Sequence, residues 1–389
     1  MTNLPQGWEV KKLGDIAEIQ IGKTPSRNNI DFFQGENIWL SIRDLKSKFV
    51  SSSSEKISNE AISKTNMKVV PKGTLLMSFK LTLGKTAFAE CDLYTNEAIA
   101  AIFIKNKNIN KYFLDYVLKF TDLEKYVDNA VKGKTLNKQK LKQIEIPLPP
   151  LKEQERIVGI LDESFAKIDE SIKILEQDLL NLDELMQSAL QKAFNPLKDN
   201  AKENYKLPQG WEWKSLEEIS ENISAGGDKP KNCTESKTAK NQIPVYANGV
   251  NNNGLVGYTD KATIIKPSLT ISARGTIGFV CIRKEPYFPI VRLISLIPCE
   301  NILCLHYLYF CLNFFIAKGE GSSIPQLTIP KFKSLQIPLP PLKEQEQIAS
   351  HLDELSSHVK NLKQNYQAQI KDLQELKKSL LDKAFKGNL

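Results

Sequence analysis

Histidine, arginine and paired cysteine are what this chain has least of, and each shortage removes a class of chemistry. Three histidines in 389 residues leave few candidates for a His-centred nucleophile or a zinc site. None of Cys91, Cys233, Cys281, Cys299, Cys304 and Cys311 belongs to a CxxC pair, and five of them fall in the second half, which fits neither a zinc knuckle nor a repeated disulfide framework. The apolar stretch from Ile302 to Ala317 contains His306 and Asn313 and falls short of the ~20 residues that a bilayer requires, so it reads as a buried helix with His306 a satisfied core histidine. Phosphate-loop chemistry fails at three places. Gly22-Lys23-Thr24, Gly84-Lys85-Thr86 and Gly133-Lys134-Thr135 resemble the end of such a loop, but Ala17, Phe79 and Asp128 occupy the positions where its first glycine must stand. No Asn-Pro-Pro-aromatic or Asp-Pro-Pro-aromatic tetrapeptide is present for methylating an adenine amino group. The start, Met1-Thr2-Asn3-Leu4-Pro5, shows no basic region followed by an apolar run, and the chain reads as cytoplasmic and reduced.

Hydrophobic residues at 41% and charged residues at 25% are ordinary for a water-soluble protein, and the length calls for at least two domains. The net charge of +8 permits a polyanionic partner without demanding one. Of only six arginines, Arg27, Arg43, Arg274, Arg283 and Arg292 lie outside the segments that read as long helices.

The chain is written twice. Leu4-Pro5-Gln6-Gly7-Trp8-Glu9 returns 203 positions later at Leu207 to Glu212; Ser78 to Gly84 matches Ser272 to Gly278 at an offset of 194; and the ten residues from Ile146 to Glu155 recur unchanged from Ile337 to Glu346 at an offset of 191. That last offset persists to Lys192-Ala193-Phe194 and Lys383-Ala384-Phe385, so the segment after the proline block keeps the same length in both copies. The second globular part is twelve residues shorter than the first, and most of the loss lies between Ile38/Ile243 and the Ser78/Ser272 block. Loops on a shared scaffold carry selectivity, so the front of each part is where two related ligands would be told apart.

Within each copy the pattern is mixed. β-rich runs at Gly73 to Phe79, Ala98 to Ile104, Ser268 to Ser272, Gly278 to Arg283 and Leu293 to Ile297 accompany helical stretches at Tyr112 to Val127 and near His306 to Ala317. The Pro-Leu-Pro-Pro block cannot be helix interior and closes each domain. Directly after it, Ile348, Leu352, Leu355, Val359, Leu362 and Tyr366 step by alternating fours and threes, resuming at Leu373, Leu376 and Leu380. The first copy runs Leu161, Phe165, Ile168, Ile172, Leu175, Leu179, Leu182, Met186 and Ala189, with Ile157 and Leu185 widening the face. These are coiled-coil heptads in need of a partner helix. The expected class is therefore α+β: two repeated α+β domains, each followed by a long α-helix, the two helices pairing as an antiparallel coiled coil. Two independent helices in a larger bundle is the alternative. The expected boundaries are a first domain at 1–150, its helix at 151–195, a polar linker at 196–206, a second domain at 207–341 and its helix at 342–389.

The Leu-Pro-Gln-Gly-Trp opening, the Ile-Pro-Leu-Pro-Pro-Leu-Lys-Glu-Gln-Glu closing and the heptad tail, each present twice, resemble the specificity subunit of type I restriction-modification systems over essentially the whole chain. The resemblance implies that each domain is a target-recognition domain reading one half of a bipartite DNA sequence, while the helices fix the unspecified spacer. It implies double-stranded DNA, methyltransferase subunits, two of them, and restriction/translocase subunits as partners, and no membrane. It also implies that this chain is not an enzyme and holds no cofactor, S-adenosylmethionine and ATP with Mg belonging to the partner subunits.

Base reading uses Arg or Lys on guanine and Asn or Gln on adenine, with Lys, Ser and Thr on phosphates. The candidates are Lys23, Arg27, Arg43, Lys80 and Thr82 in the first domain and Lys229, Lys231, Asn248, Arg274 and Thr276 in the second. Arg43, Lys80 and Arg274 stand out because they read as lying in β-type runs, although Lys80 and Arg274, which face each other across the repeat, could brace the domain instead. Trp8 and Trp211 read as core anchors at a domain edge. The repeated Gln154 and Gln345 either start the helix or touch the methyltransferase, and the sequence leaves that open. A duplicated coiled-coil adaptor that holds proteins rather than DNA is the rival reading; a fused methyltransferase is disfavoured by the missing motifs.

Overall fold

The computed structural model describes residues 4–127, 136–194, 207–316, 319–320 and 327–389; the expected linker lies outside them. The chain divides into two compact units, one of residues 1–174 with 369–389 and the other of residues 175–368. Each unit therefore contains a globular part, the beginning of the helix that follows it and the end of the other long helix.

In the first unit a five-stranded sheet runs in the order Ala17–Ile21, Ile99–Ile104, Leu75–Ser78, Thr86–Ala89, Phe49–Val50, with only the last pair parallel. Side chains alternate across a strand. Leu75 and Met77 point into one cluster with Ala100, Ile102, Phe113 and Val117, whereas Leu76 joins Ala87, Ala89, Ile99 and Ala101 in another under Leu40, Val50 and Leu93. Both faces are covered, which is why these strands read as unbroken apolar runs rather than alternating ones. A smaller sheet, Glu55–Ile57, Asn37–Leu40 and Tyr94–Thr95, carries the buried Trp39.

The second unit repeats this plan with a four-stranded sheet, Ser220–Ala225, Ile294–Pro298, Ser268–Ile271 and Val280–Arg283, and a three-stranded one, Leu255–Thr259, Ile243–Tyr246 and Phe288–Pro289. The twelve missing residues have a structural counterpart. Strand Glu55–Ile57 of the first unit corresponds to the hairpin strand Leu255–Thr259 of the second, and strand Phe49–Val50 and helix Asn59–Thr65, which flank it in sequence, have no counterpart there among the described residues.

The first and third repeated blocks are two halves of one clasp. The turns at Pro5 and Pro208 are closed by the Trp8 and Trp211 amides donating to the proline carbonyls at 3.2 and 3.0 Å. Gly7 and Gly210 sit at φ 84° and 85°, the left-handed value a type II turn needs at its third residue. Each turn feeds a strand, Glu9–Lys12 or Glu212–Ser215, which pairs antiparallel with Glu145–Leu148 or Gln336–Leu339 in the same register. A two-stranded ribbon has only edge strands, so prolines at 147 and 338 are tolerated.

The glutamine that the sequence leaves open is a structural pin. Gln154 is 1% exposed; its Oε1 accepts from the Asn110 amide at 2.9 Å, and its Nε2 donates to the carbonyls of Asn108 at 3.1 Å and Pro149 at 2.8 Å. Gln345 repeats the arrangement on Cys304, Ile302 and Pro340. Each glutamine ties the start of a long helix to the N-terminus of the domain helix, Lys111–Phe120 or Leu305–Phe315. Trp211 adds an indole donor to Glu344 at 3.1 Å, and Trp8 packs against the first core, consistent with domain-edge anchors.

The long helices run Leu151–Phe194 and Leu342–Lys386, the first about 66 Å long at 1.5 Å per residue. In the first unit Arg156 reaches the Leu389 carbonyl at 2.9 Å and Asp169 pairs with Lys377, so numbers fall along one helix as they rise along the other: the packing is antiparallel. Phe385 closes the first core, its ring 5.8 Å from Phe113 and 5.3 Å from Phe120. In the second unit Asp183 pairs with Lys363, and Phe194 closes the core 5.7 Å from Tyr307 and 5.6 Å from Phe314. Not every heptad position is covered: Leu185, Leu362 and Leu376 are 40–48% exposed, as a two-helix seam leaves its flanks in water. Two readings need correction. The α-helix expected to Val127 ends at Phe120 and is followed by a 3-10 turn, Leu123–Tyr126. His306 is no buried core residue; a third of its side chain is exposed, and its Nδ1 lies 2.6 Å from the Asp353 carboxylate on the long helix.

Candidate nucleic-acid interface

In the first domain the front loops gather charge around Glu55. Arg27 grips both oxygens of that carboxylate with the two ends of its fork, at 2.5 and 3.1 Å, and Arg43 shares Oε2 at 2.5 Å. The hydrogen bond from Arg27 holds Glu55 below the usual carboxylate range; partial burial opposes this, and the charges of both arginines add to it. Arg27 also stacks 4.3 Å from the Phe33 ring centroid and 5.2 Å from that of Trp39. Asp44 and Glu97 also act on this cluster, but with 53% and 59% of their side chains exposed, and two N–H groups of Arg27 and one of Arg43 spent on Glu55, both guanidiniums keep a further N–H edge for a partner. Such an edge matches guanine O6/N7 or a phosphate.

Lys23 is placed differently. Its amine donates to the carbonyls of Thr65 and Asn66 at 2.9 and 3.1 Å, capping the helix Asn59–Thr65, while its own carbonyl accepts from the Trp39 indole at 3.0 Å. A lysine at a helix C-terminus is held by the partial negative charge there.

Lys80 and Thr82 sit on the tip between strands Leu75–Ser78 and Thr86–Ala89, and Arg274 and Thr276 sit on the matching tip of the second domain. Of the three residues read as lying in β-type runs, Lys80 makes a single β-bridge two residues past strand Leu75–Ser78, whereas Arg43 lies in a 3-10 turn, Ile42–Asp44, and Arg274 lies in a bend beyond strand Ser268–Ile271. Turn curvature, which the apolar runs do not encode, decided this. The buried Ser78 hydroxyl organises the first tip, donating to the Thr82 carbonyl at 2.6 Å and accepting from the Lys85 amide at 3.0 Å. Between Lys80 and Thr82, Leu81 is 76% exposed at φ 61°, where the second copy has Gly275 at φ 70°. The Thr276 hydroxyl is buried and has no hydrogen-bond partner among the described residues.

Lys229 and Lys231 flank Pro230 on an exposed loop and form no ion pair among the described residues. Asn248, by contrast, spends its amide on the protein: Nδ2 donates to the Val291 carbonyl at 2.6 Å and Oδ1 accepts from the Ala273 amide at 2.8 Å. Arg283 is 8% exposed, 3.6 Å from the Tyr246 ring centroid, and donates to Thr270 Oγ1 and the Asn253 carbonyl; it braces the domain.

Sequence reasoning passed over Arg292. Val291 and Arg292 occupy consecutive left-handed positions, φ 52° and 61°, in a turn closed by the Leu293 amide donating to the Ile290 carbonyl at 3.1 Å. This is a type I′ geometry, normally built from Asn and Gly, and residues with such backbones cost about 1–3 kcal/mol each. Neighbours hold the turn: the Val291 and Arg292 amides donate to the carbonyls of Gly227 and Gly226, both at 2.8 Å, and Asn248 holds the Val291 carbonyl. No sequence signal marks it, because Val-Arg is not a turn dipeptide.

Among the described residues no three His, Cys, Asp or Glu side chains gather as a metal site, and no helix is long and apolar enough to cross a membrane.

A duplicated α+β domain with charged, copy-specific front loops and a long helix behind each copy defines a class of paired reading modules. Residues 5–179 and again 208–372 match the family described as the type I restriction modification DNA specificity domain, and the chain belongs to that family. A putative type I specificity subunit of Mycoplasma pneumoniae is 33% identical over 286 residues, spanning 72% of this chain and 82% of the relative. The specificity subunit of the type I restriction enzyme MjaIX of Methanocaldococcus jannaschii is 25% identical over 426 residues, spanning 99% and 94%. Among solved structures, the fold matches the HsdS subunit of Thermoanaerobacter tengcongensis at a TM-score of 0.63, with 22% identity over 99% of this chain and 98% of that one. It also matches a chain from a structure of a type I R-M system's complex assembly at 0.83, with 21% identity over the whole of both chains.

Proposed function

We propose that this chain is the address-reading subunit of a type I restriction-modification complex, each domain reading one half of a bipartite DNA target and the long helices setting the unspecified gap. The observation that carries the reading is the contrast between copies: helices of equal register behind domains whose front loops differ. The chain supplies recognition and no catalysis. Two methyltransferase subunits dock on it and bring S-adenosylmethionine; restriction/translocase subunits bring ATP and Mg; the complex works in the cytoplasm. The missing catalytic motifs and the exposed guanidinium edges of Arg27 and Arg43 support this division of labour.

The test is to insert four residues, about one turn and 6 Å, into each long helix and map methylated sites in cells carrying the intact system. The half-sites should stay the same while the gap grows by roughly one to two base pairs at 3.4 Å each. Altered half-sites with an unchanged gap would defeat the reading. A salt titration separates the rival adaptor function, because binding through several phosphates weakens steeply as salt rises and an apolar protein interface does not.

A further inference from the structure

We propose that Arg292 reads a base in the half-site of the second domain and that Asn248 is the residue that positions it; this rests on the DNA-reading function above. Three observations converge. The first is the strained turn, which places an exposed arginine on a backbone that four hydrogen bonds hold rigid, from Gly226, Gly227, Asn248 and the turn's own closing bond. Strain kept by its surroundings at an exposed position, with no packing gained, marks a functional constraint. Among the described residues the Arg292 guanidinium has no hydrogen-bond or ion-pair partner, so its whole fork is available.

The second is the Asn248 clamp. Its two amide bonds go to Val291, beside Arg292, and to Ala273, beside Arg274, so one side chain ties the two arginine-bearing turns to each other. The Gly249 amide adds a bond to Ser272 Oγ at 3.3 Å. These bonds fix the backbone from which the unpartnered Arg292 fork reaches, and so the place and direction of its approach to guanine O6 and N7.

The third is the comparison between copies. The first domain has a turn at the matching place but of a different type, closed by the Ile99 amide on the Asn96 carbonyl at 3.2 Å, with the corresponding contact from the preceding strand, Gly22 amide to Ile99 carbonyl at 3.2 Å, matching Gly226 to Leu293 at 2.9 Å. There the two turn positions hold Glu97, bonded to Thr24, and the buried Ala98, neither at positive φ. Arg274, which recurs as Lys80, suits a phosphate contact that sets register in both halves. Arg292 has no counterpart, as expected of a residue that distinguishes one half-site from the other.

The experiment uses the full chain in its complex with the methyltransferase subunits, comparing wild type with Arg292→Lys, Arg292→Ala and Asn248→Ala. Arg292→Lys keeps the charge but loses the planar fork. The readouts are genome-wide methylation sites, affinity for duplexes varied base by base, and thermal melting. Both Arg292 variants should relax one base position in one half-site, leave the other half-site intact, and lose about 10- to 100-fold in affinity for the cognate duplex. Asn248→Ala should relax the same base, and adding it to Arg292→Ala should cost no further discrimination. Uniform weakening on every duplex with a shallower salt dependence would make Arg292 a phosphate contact and overturn the proposal, as would unchanged specificity in folded Arg292→Lys. Relaxation at a different base in Asn248→Ala would remove its positioning role. Absence of any sequence preference in the wild-type complex would instead defeat the DNA-reading function itself.

Discussion

Replacing Gln154 by Leu keeps the shape of the side chain and removes its amide. Three backbone groups then lose their partner inside the protein: the Asn110 amide and the carbonyls of Asn108 and Pro149. At about 1–1.3 kcal/mol net for each bond the loss is about 3–4 kcal/mol, since the Gln154 side chain is buried and the leucine cannot substitute. A unit of this size shifts its melting temperature by about 2–4 °C per kcal/mol, so a fall of about 6–16 °C is expected in a thermal melt followed by circular dichroism. Hydrogen exchange supplies a local check: the Asn110 amide, protected in the wild type, should exchange quickly in the variant. Gln154→Glu adds a pH signature. A carboxylate facing two carbonyls is repelled, so its pKa lies above that of free glutamate, and the protonated form regains one donor. The folded variant therefore binds more protons than the unfolded chain, and its deficit should shrink as pH falls through that raised pKa. A melting shift under about 2 °C, the least that 1 kcal/mol would give, together with undiminished protection of Asn110 would refute the pin.

The helix ends give the next expectation: Phe385→Ala should cost about 3–5 kcal/mol and expose the first domain's core to proteolysis, although residue 385 lies far beyond that domain in sequence. Phe194→Ala should do the same to the second unit. Leu81→Gly should leave the free chain unharmed or more stable by up to about 1 kcal/mol in chemical denaturation, because a left-handed Leu costs about 1–2 kcal/mol and a glycine's extra freedom returns part of that. Gly275→Leu should destabilise, and the opposite order would remove the strain argument. Burial pushes the Cys311 thiol well up, so Cys311 should resist alkylation in the native chain at mildly alkaline pH and react only on unfolding.

Repetition carried most of the architecture into the sequence. Blocks that recur with Pro, Gly and Trp in fixed places do so because the backbone constrains each of those positions. Gly7 and Gly210 take the left-handed turn position, and the prolines sit on edge strands where no ladder bond is lost. The heptads were legible because helical periodicity survives in any sequence that buries one face. The candidate site was legible only as a region. Lys23 and Asn248 have residue types suited to DNA, and the structure commits both to neighbouring backbone carbonyls and amides. Arg292 lacked any local signature because a type I′ turn made of Val and Arg is held by Asn248, Gly226 and Gly227, distant in sequence.

The sequence by itself determined the duplication, the α+β class, the two long helices and the place where the copies differ, since each is written in local spacing and in the comparison of the chain with itself. Only the tertiary structure decided that each compact unit borrows the end of the other helix, that Gln154 and Gln345 are pins, and that a strained turn presents Arg292. Those features depend on contacts between residues roughly 40 to 230 positions apart, formed when apolar faces close over one another and buried polar groups must find partners wherever the chain brings them.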